Sequence, residues 1–151
     1  MPFRANLPNG RILLEGMGFS LERLQTGSKG AVSLPILKAL LCAAASSLPF
    51  DEEFYLSTYP DIRKAHETGK IKDLRVHFVE FGYLEGRMGA PPEFDEDFYK
   101  TTYPDVAVAI AKGDVKSAFD HYVYAGAFEG RHASASAMEA NRRWSELLRS
   151  V

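Results

Sequence analysis

The stretch FDEEFYLSTYPDI, residues Phe50–Ile62, returns 44 residues later as FDEDFYKTTYPDV, residues Phe94–Val106. The same offset continues without a gap to Arg87 and Arg131, and 18 of the 38 aligned pairs are identical. A period of this length is typical of helical repeat proteins, in which each repeat is one supersecondary unit. The sequence therefore predicts a fold built on one structural unit that is used twice.

Each unit reads as three short helices. Asp51 and Asp95 are N-cap residue types followed by acidic residues, which favours a first helix in each copy. The residue before a proline avoids the helical region, so this helix ends at Pro60 or Pro104, where the next one begins. The second helix should end at a left-handed glycine cap, Gly69 or Gly113. The third helix should start at an N-cap residue, Asp73 or Ser117, and end at a glycine, Gly82 or Gly126.

The segment before the repeats has the signals of short strands. Asn9-Gly10 and the run from Gly27 to Gly30 are turn signals, and apolar and polar residues alternate from Phe19 to Glu22. We expect two or three strands in residues 1–34, arranged as a small antiparallel hairpin or sheet.

Two further helices flank the repeats. Ser33, Leu34 and Pro35 look like a helix start, and apolar residues at helical spacing then predict a helix from Pro35 to Ser46. Near the end of the chain, a second set falls at positions i, i+3, i+4 and i+7, which predicts an amphipathic helix: Trp144, Leu147, Leu148 and Val151. The expected fold is α+β but mainly α, with segments 1–34, 35–49, 50–93 (repeat 1), 94–132 (repeat 2) and 133–151.

The composition excludes several classes of protein. The 18 basic and 20 acidic residues give a net charge of −2, whereas a protein that follows a phosphate backbone needs a basic surface. We therefore expect no nucleic-acid partner. Cys42 is the single cysteine, which excludes an internal disulfide and favours a reducing compartment.

The most apolar run does not look like a membrane span or a secretory leader. Residues Leu34–Phe50 include Lys38 and two prolines, and the run is shorter than the ~20 apolar residues that a span needs. The run also lies far from the first residue and follows Glu15 and Glu22, which is the wrong layout for a leader. We expect a cytoplasmic protein without a membrane span.

The residue types that chemistry uses are repeated at equivalent positions. His77 and His121 lie on the third helix of each repeat, on a face that points inward. A histidine in such a place usually bonds a backbone carbonyl or an aspartate and fixes a loop. Metal binding, catalysis and pH sensing are the alternatives. Neither histidine has a second His or Cys at i+3 or i+4, so we expect no metal and no cofactor.

Each repeat closes on Glu-Gly-Arg, at Glu85–Arg87 and Glu129–Arg131. The glycines, Gly86 and Gly130, permit positive φ, and the arginine can reach the aspartate of the Tyr-Pro-Asp segment as a bidentate pair. The alternative is that Arg87 and Arg131 grip an anionic ligand. The carboxylates after Phe50 and Phe94 are explained by helix capping, with general acid–base catalysis as the alternative.

All seven tyrosines lie in the repeats, mostly at helix-packing positions. Tyr83 and Tyr124 have no tyrosine at the equivalent position of the other copy, so we expect them to face outward. In that position they would offer a platform on which a sugar could stack.

The combined motif resembles a short repeat seen in many bacterial proteins. The motif consists of Tyr-Pro-Asp followed by His, Gly and Glu-Gly-Arg, carried here by Tyr59, Pro60, Asp61, His77, Gly82, Glu85, Gly86 and Arg87, and again by Tyr103, Pro104, Asp105, His121, Gly126, Glu129, Gly130 and Arg131. In that family the repeat accompanies glycosyltransferases and exopolysaccharide or surface proteins. The resemblance covers about half of the chain. It implies a bacterial origin and a polysaccharide context, and it supplies no catalytic residue.

Two hypotheses of function follow. The preferred one is a non-enzymatic, self-associating scaffold linked to exopolysaccharide synthesis, since two repeats are fewer than the three or more that normally form a stable stack. Its homo-oligomer contacts would involve Phe19, Leu21, Trp144 and Leu148, and a polysaccharide-synthesis protein is a further expected partner. The alternative is a carbohydrate- or nucleotide-binding module that uses Arg87, Arg131, Tyr83 and Tyr124.

Overall fold

The computed structural model describes residues 8–27 and 29–149. The chain divides into two compact units, with the boundary between Ala90 and Pro91. Unit 1 contains the segments before the repeats and residues 50–90 of repeat 1, and unit 2 contains the last three residues of that repeat, repeat 2 and the C-terminal helix. Throughout the described ranges the regular structure is helical, and no helix there combines the length and apolar character needed to cross a membrane.

Four helices lie outside the repeats: α1 (Gly10–Gly16), α2 (Leu21–Thr26), α3 (Leu34–Ser46) and α10 (Ala135–Arg149). Repeat 1 contains α4 (Glu52–Thr58), α5 (Pro60–Glu67) and α6 (Leu74–His77), and α6 runs directly into the π-helical segment π1 (Phe78–Gly82). Repeat 2 contains α7 (Glu96–Thr102), α8 (Pro104–Lys112) and α9 (Ala118–His121), followed by the π-helical segment π2 (Tyr122–Gly126).

The expected N-terminal β hairpin is wrong, because the described part of this segment forms α1 and α2 and contains no strand. The Asn9 side chain accepts a hydrogen bond from the Arg11 amide at 2.9 Å, and Ser20 Oγ accepts one from the Arg23 amide at 3.1 Å. Both residues are N-caps. Asparagine and serine favour turns and helix starts for the same reason, namely that a short side chain bonds nearby backbone. Ser28, Val151 and residues 1–7 lie outside the described residues.

The predicted starts of the helices in the repeats and their glycine caps are confirmed. The N-cap side chains at Asp51 and Asp95 each accept a backbone hydrogen bond at 2.9 Å, and Asp73 and Ser117 cap the third helix in the same way. Pro60 and Pro104 begin the second helix of each repeat. The cap glycines Gly69 and Gly113 have φ values of 72° and 80°, which is the left-handed region that favours glycine.

Unit 1 is organised around the ring of Tyr55. The buried residues packed there come from α3 and from every helix of repeat 1: Cys42, Ala45, Tyr55, Tyr59, Ile62, Leu74, Phe78 and Val79. Helix α3 packs on π1, and α4 packs on both α5 and α6. The small side chains of Cys42 and Ala45 allow α3 to approach closely.

Unit 2 repeats this arrangement around Tyr99 with fewer buried side chains. Its central cluster consists of Tyr99, Val106 and Ala118, with partly buried residues such as Phe94 and Tyr122 against it. Helix α7 packs on α8 and α9, and α8 packs on α9. Helix α10 buries none of its described residues.

The π-helical segments were not predicted from the sequence. In π1 the amide of Tyr83 donates to the carbonyl of Phe78 at 2.8 Å, and in π2 the amide of Ala127 donates to that of Tyr122 at 2.9 Å. These are i→i+5 bonds, which widen one turn of an otherwise α-helical run. Both segments end at the motif glycine, Gly82 or Gly126.

Candidate functional site

In repeat 1, the motif arginine forms ion pairs with both acidic residues of the motif. Arg87 donates from Nη1 and Nη2 to the two carboxylate oxygens of Asp61, at 3.1 and 2.8 Å, and from Nε to Glu85 at 2.8 Å. The planar guanidinium suits this bidentate geometry. The predicted Arg–Asp pair is therefore observed, and Glu85 occupies the remaining edge of the fork.

Repeat 2 contains the same ion pairs at nearly the same distances. Arg131 donates to Asp105 at 3.0 and 2.7 Å and to Glu129 at 2.7 Å. Gly86 and Gly130, between the acidic residue and the arginine, have φ values of 80° and 75°. The left-handed conformation turns the chain so that the glutamate and the arginine two residues later face each other.

Each arginine also lies over a tyrosine ring. The guanidinium carbon of Arg87 is 5.0 Å from the centroid of Tyr59, and that of Arg131 is 5.0 Å from the centroid of Tyr103. The hydroxyl of Tyr59 accepts a hydrogen bond from the backbone amide of Met88 at 2.7 Å. The hydroxyl of Tyr103 accepts one from the backbone amide of His132 at 2.9 Å. The arginines proposed as anion-binding groups thus already have two carboxylates and an aromatic ring as partners.

These contacts set the charge state of the site. The hydrogen bond from Arg87 holds the pKa of Asp61 below its usual value, and the one from Arg131 does the same for Asp105. Burial disfavours the charged form of Arg87, but the hydrogen bonds to Asp61 and Glu85 outweigh it and raise the pKa of the guanidinium. Both members of each pair therefore remain charged at neutral pH.

The partner expected for the histidines is corrected by the structure. His77 Nδ1 is hydrogen-bonded to the hydroxyl of Tyr55 at 3.1 Å, and His121 Nδ1 to that of Tyr99 at 3.0 Å, rather than to a carbonyl or an aspartate. Both tyrosines are fully buried. Burial raises the pKa of Tyr55, and raises that of Tyr99 to about 12, so both hydroxyls keep their protons at neutral pH.

The motif glycines lie directly against these tyrosine hydroxyls. A Cβ placed on Gly82 would collide with the hydroxyl of Tyr55, and one placed on Gly126 would collide with that of Tyr99. The π-helical turn, the glycine and the Tyr–His pair therefore form one packed assembly. The repeated motif pointed to the glycine and the histidine but not to the tyrosine that contacts both, although this tyrosine also recurs, as Tyr55 and Tyr99.

The two tyrosines predicted to face outward differ in their exposure to solvent. Tyr124 is 60% exposed, as expected, but Tyr83 is half-buried and its ring packs against Phe78 at 6.3 Å. Tyr124 belongs to unit 2, and Tyr83 to unit 1. The structure therefore leaves Tyr124 as the open aromatic surface of the two.

The residues proposed for an interface are mostly exposed. Leu21, Trp144 and Leu148 are 61%, 65% and 72% exposed, whereas Phe19 is half-buried under the guanidinium of Arg23. Trp144 and Leu148 are one turn apart on α10. Among the described residues, no three His, Cys, Asp or Glu side chains are grouped so that they could hold a metal ion.

Acid should destabilise unit 1 through His77. Burial lowers the pKa of this imidazole in the folded chain, against an opposing effect of Glu85 and Asp61. As the pH falls below about 6.5, the usual value for an unfolded chain, the unfolded state takes up the proton first. The stability due to neutral His77 is therefore complete above that pH and decreases below it. Asp61, whose pKa is also lowered, contributes stability that is lost only below about pH 3.9.

Urea unfolding at a series of pH values checks this expectation. The free energy of unfolding of the wild-type chain should fall between about pH 7 and pH 5, and the fall should be shallower in His77→Gln, which has no titratable group at position 77. Equal slopes in the two proteins would show that His77 does not couple folding to protons.

No protein-family model, curated protein or solved structure matches this chain. The two repeats can, however, be compared with each other. The comparison shows that ion pairs, the Tyr–His hydrogen bond and the π-helical turn recur together at a spacing of 44 residues.

Proposed function

We propose that this chain is a non-enzymatic, self-associating scaffold that works in the bacterial cytoplasm in exopolysaccharide synthesis or its regulation. The observation that carries self-association is α10, a helix of 15 residues that buries none of them and exposes Trp144 and Leu148 one turn apart. Large apolar side chains that share one face of a helix gain free energy when another surface covers them.

The use of the motif residues supports a scaffold over an enzyme. The arginines, acidic residues, histidines and tyrosines of the motif contact one another inside each repeat, and each set occurs twice. A catalytic site needs several polar groups that converge on space for a substrate. Groups that instead satisfy one another are the expected means of holding short helices together.

The polysaccharide context rests on the motif's resemblance to repeats that accompany glycosyltransferases and surface proteins. A small scaffold of this kind would assemble synthesis proteins or recruit a regulator to them. The chain's own self-association would then set how many partners are brought together.

Light scattering after size exclusion tests the proposal. The full chain should have the mass of a dimer or a larger oligomer, and Trp144→Ser/Leu148→Ser should shift it toward the monomer. Val108→Ser is the matched control, because Val108 is 52% exposed but lies on α8. A chain that is monomeric at every concentration up to the millimolar range would refute self-association.

A further inference from the structure

The third helix of repeat 1 has a covering helix. Arg75 Nη2 donates to the carbonyls of Ser46 at 2.8 Å and Leu48 at 3.3 Å. These bonds anchor α6 to the C-terminal end of α3. The ammonium of Lys38, also on α3, lies 5.6 Å from the centroid of Phe81. Between these two points, Phe78 is buried in the cluster that includes the small residues of α3.

Repeat 2 has the same face without the covering helix. The residues equivalent to Arg75, Phe78 and Phe81 are Phe119, Tyr122 and Ala125, which we call the open face. These three are spaced three residues apart along α9 and π2, as their counterparts are along α6 and π1. All three are half-buried. The basic anchor is replaced by the ring of Phe119, so the open face consists of two aromatic rings and an alanine.

Among the described residues of unit 2, no helix outside repeat 2 packs on π2 as α3 packs on π1. Repeat 1 is preceded by α3, whereas the residues from Tyr83 to Glu93, just before repeat 2, form turns and extended chain that includes Pro91 and Pro92. Phe78 is 2% exposed under its cover, while its counterpart Tyr122 remains half-buried. The difference lies at Tyr122, because Phe81 is 50% exposed beside α3 and its counterpart Ala125 is half-buried. What repeat 2 lacks is therefore a helix laid over Tyr122.

We propose that α10 of a second copy of this chain covers the open face. This inference rests on the proposed self-association and names its contact. Helix α10 has 15 residues, compared with 13 in α3, and exposes Trp144 and Leu148. It also has alanines at positions 137 and 140, two turns and one turn before Trp144 on the same side. Small side chains allow close approach, as Cys42 and Ala45 do in α3.

Charge favours the same occupant. Residues 94–132 contain seven acidic and four basic side chains, a net charge of −3, and α10 contains three arginines and two glutamates, a net charge of +1. The covering helix of repeat 1 likewise contributes a cation, Lys38, to an aromatic ring. The opposite net charges of α10 and repeat 2 would favour their encounter.

We assign the covering helix to a second copy because α10 does not pack extensively on its own repeat. The carbonyl of Ala133 accepts the amide of Asp95 at 3.0 Å, which fixes the residue just before α10 to the start of α7. Beyond that point α10 has no extensive packing with another described helix. Donor and acceptor surfaces both belong to unit 2, so mutual exchange of α10 closes a twofold dimer in which both open faces are covered.

A pair of matched substitutions tests the contact. Ala125→Glu places a charge on the open face and should remove the dimer seen by light scattering, because an unpaired charge is costly to bury. Phe81→Glu places the same charge at the equivalent position of repeat 1 and should leave the dimer intact. Circular dichroism establishes that each variant is folded.

Disulfide trapping gives a second readout that does not depend on the folding of a charged variant. Chains with Ala125→Cys and chains with Leu148→Cys are mixed and oxidised, and a crosslink between the two should form. Val108→Cys mixed with Leu148→Cys is the control and should not crosslink. Cys42 is buried in every chain and is the same in both arms.

The outcomes separate the two proposals. A dimer that persists in Ala125→Glu and gives no 125–148 crosslink overturns the contact proposed here while self-association stands. A wild-type chain that is always monomeric overturns both. A dimer lost in Ala125→Glu, kept in Phe81→Glu and trapped by the 125–148 crosslink supports the exchange of α10.

Discussion

Replacing Gly82 by alanine should strongly destabilise unit 1. The new Cβ would occupy the position of the Tyr55 hydroxyl, which is fully buried and hydrogen-bonded to His77 at 3.1 Å. Overpacking of a core costs about 1–3 kcal/mol, and displacing the hydroxyl also costs a buried hydrogen bond worth about 1 kcal/mol. We expect Gly82→Ala to lower the free energy of unfolding by roughly 3 kcal/mol in urea titrations.

A double-mutant cycle identifies the hydroxyl as the cause. Tyr55→Phe removes the oxygen, and the ring carbon that bore it would lie 3.4 Å from the new Cβ, which is an ordinary contact. Gly82→Ala should therefore cost much less in the Tyr55→Phe background than in the wild type. Gly16→Ala is the matched control, since a Cβ there meets nothing within 4 Å. Additive effects of Gly82→Ala and Tyr55→Phe would refute the collision.

The repeats were readable from the sequence because their boundaries depend on local chemistry. An aspartate before a helix accepts an amide three residues ahead, as Asp51 does with Phe54 at 2.9 Å. A proline such as Pro60 fixes where one helix ends and the next begins. Gly113 takes the left-handed conformation that closes a helix. Each of these effects acts within a few residues, so a sequence pattern is enough to predict it.

The N-terminal segment failed because the same local chemistry serves two structures. Asn9 and Ser20 are turn residues between strands and N-caps before helices, and the flanking pattern has to decide. The alternation from Phe19 to Glu22 covers only four residues and spans the N-cap. Leu13, Leu14 and Met17, at i, i+1 and i+4, had the helical spacing that in fact prevails.

The candidate site also has one part that the sequence predicted and one part that it did not. The pair of Asp61 and Arg87 could be predicted, since a carboxylate and a guanidinium repeated at a fixed spacing indicate a bidentate contact. The bond between Tyr55 and His77 joins residues 22 positions apart and depends on the widened turn of π1. No local pattern specifies an i→i+5 turn, so this part of the site required the structure.

Truncating Tyr99 to alanine should have the largest effect on unit 2. The ring is fully buried at the centre of a cluster that includes only Val106 and Ala118 as other fully buried members, and it contacts the rings of Phe94, Tyr103 and Tyr122. Removing a buried aromatic side chain costs about 3–5 kcal/mol. Few neighbours remain to fill the space, so we expect the upper end of that range and loss of cooperative unfolding of unit 2.

Two variants show which property of the tyrosine matters. Tyr99→Phe keeps the ring but leaves His121 without the hydroxyl that bonds it at 3.0 Å, so it should cost only about 1–2 kcal/mol. Tyr124→Ala removes the same side chain from a position that is 60% exposed and should cost less than about 0.5 kcal/mol in the monomer. Hydrogen exchange on the amides of α7–α9 would resolve the effect on unit 2. Unchanged protection of these amides in Tyr99→Ala would mean that the aromatic ring does not hold repeat 2 together. The two repeats would then share sequence and geometry, but their buried tyrosines would not contribute equally to stability.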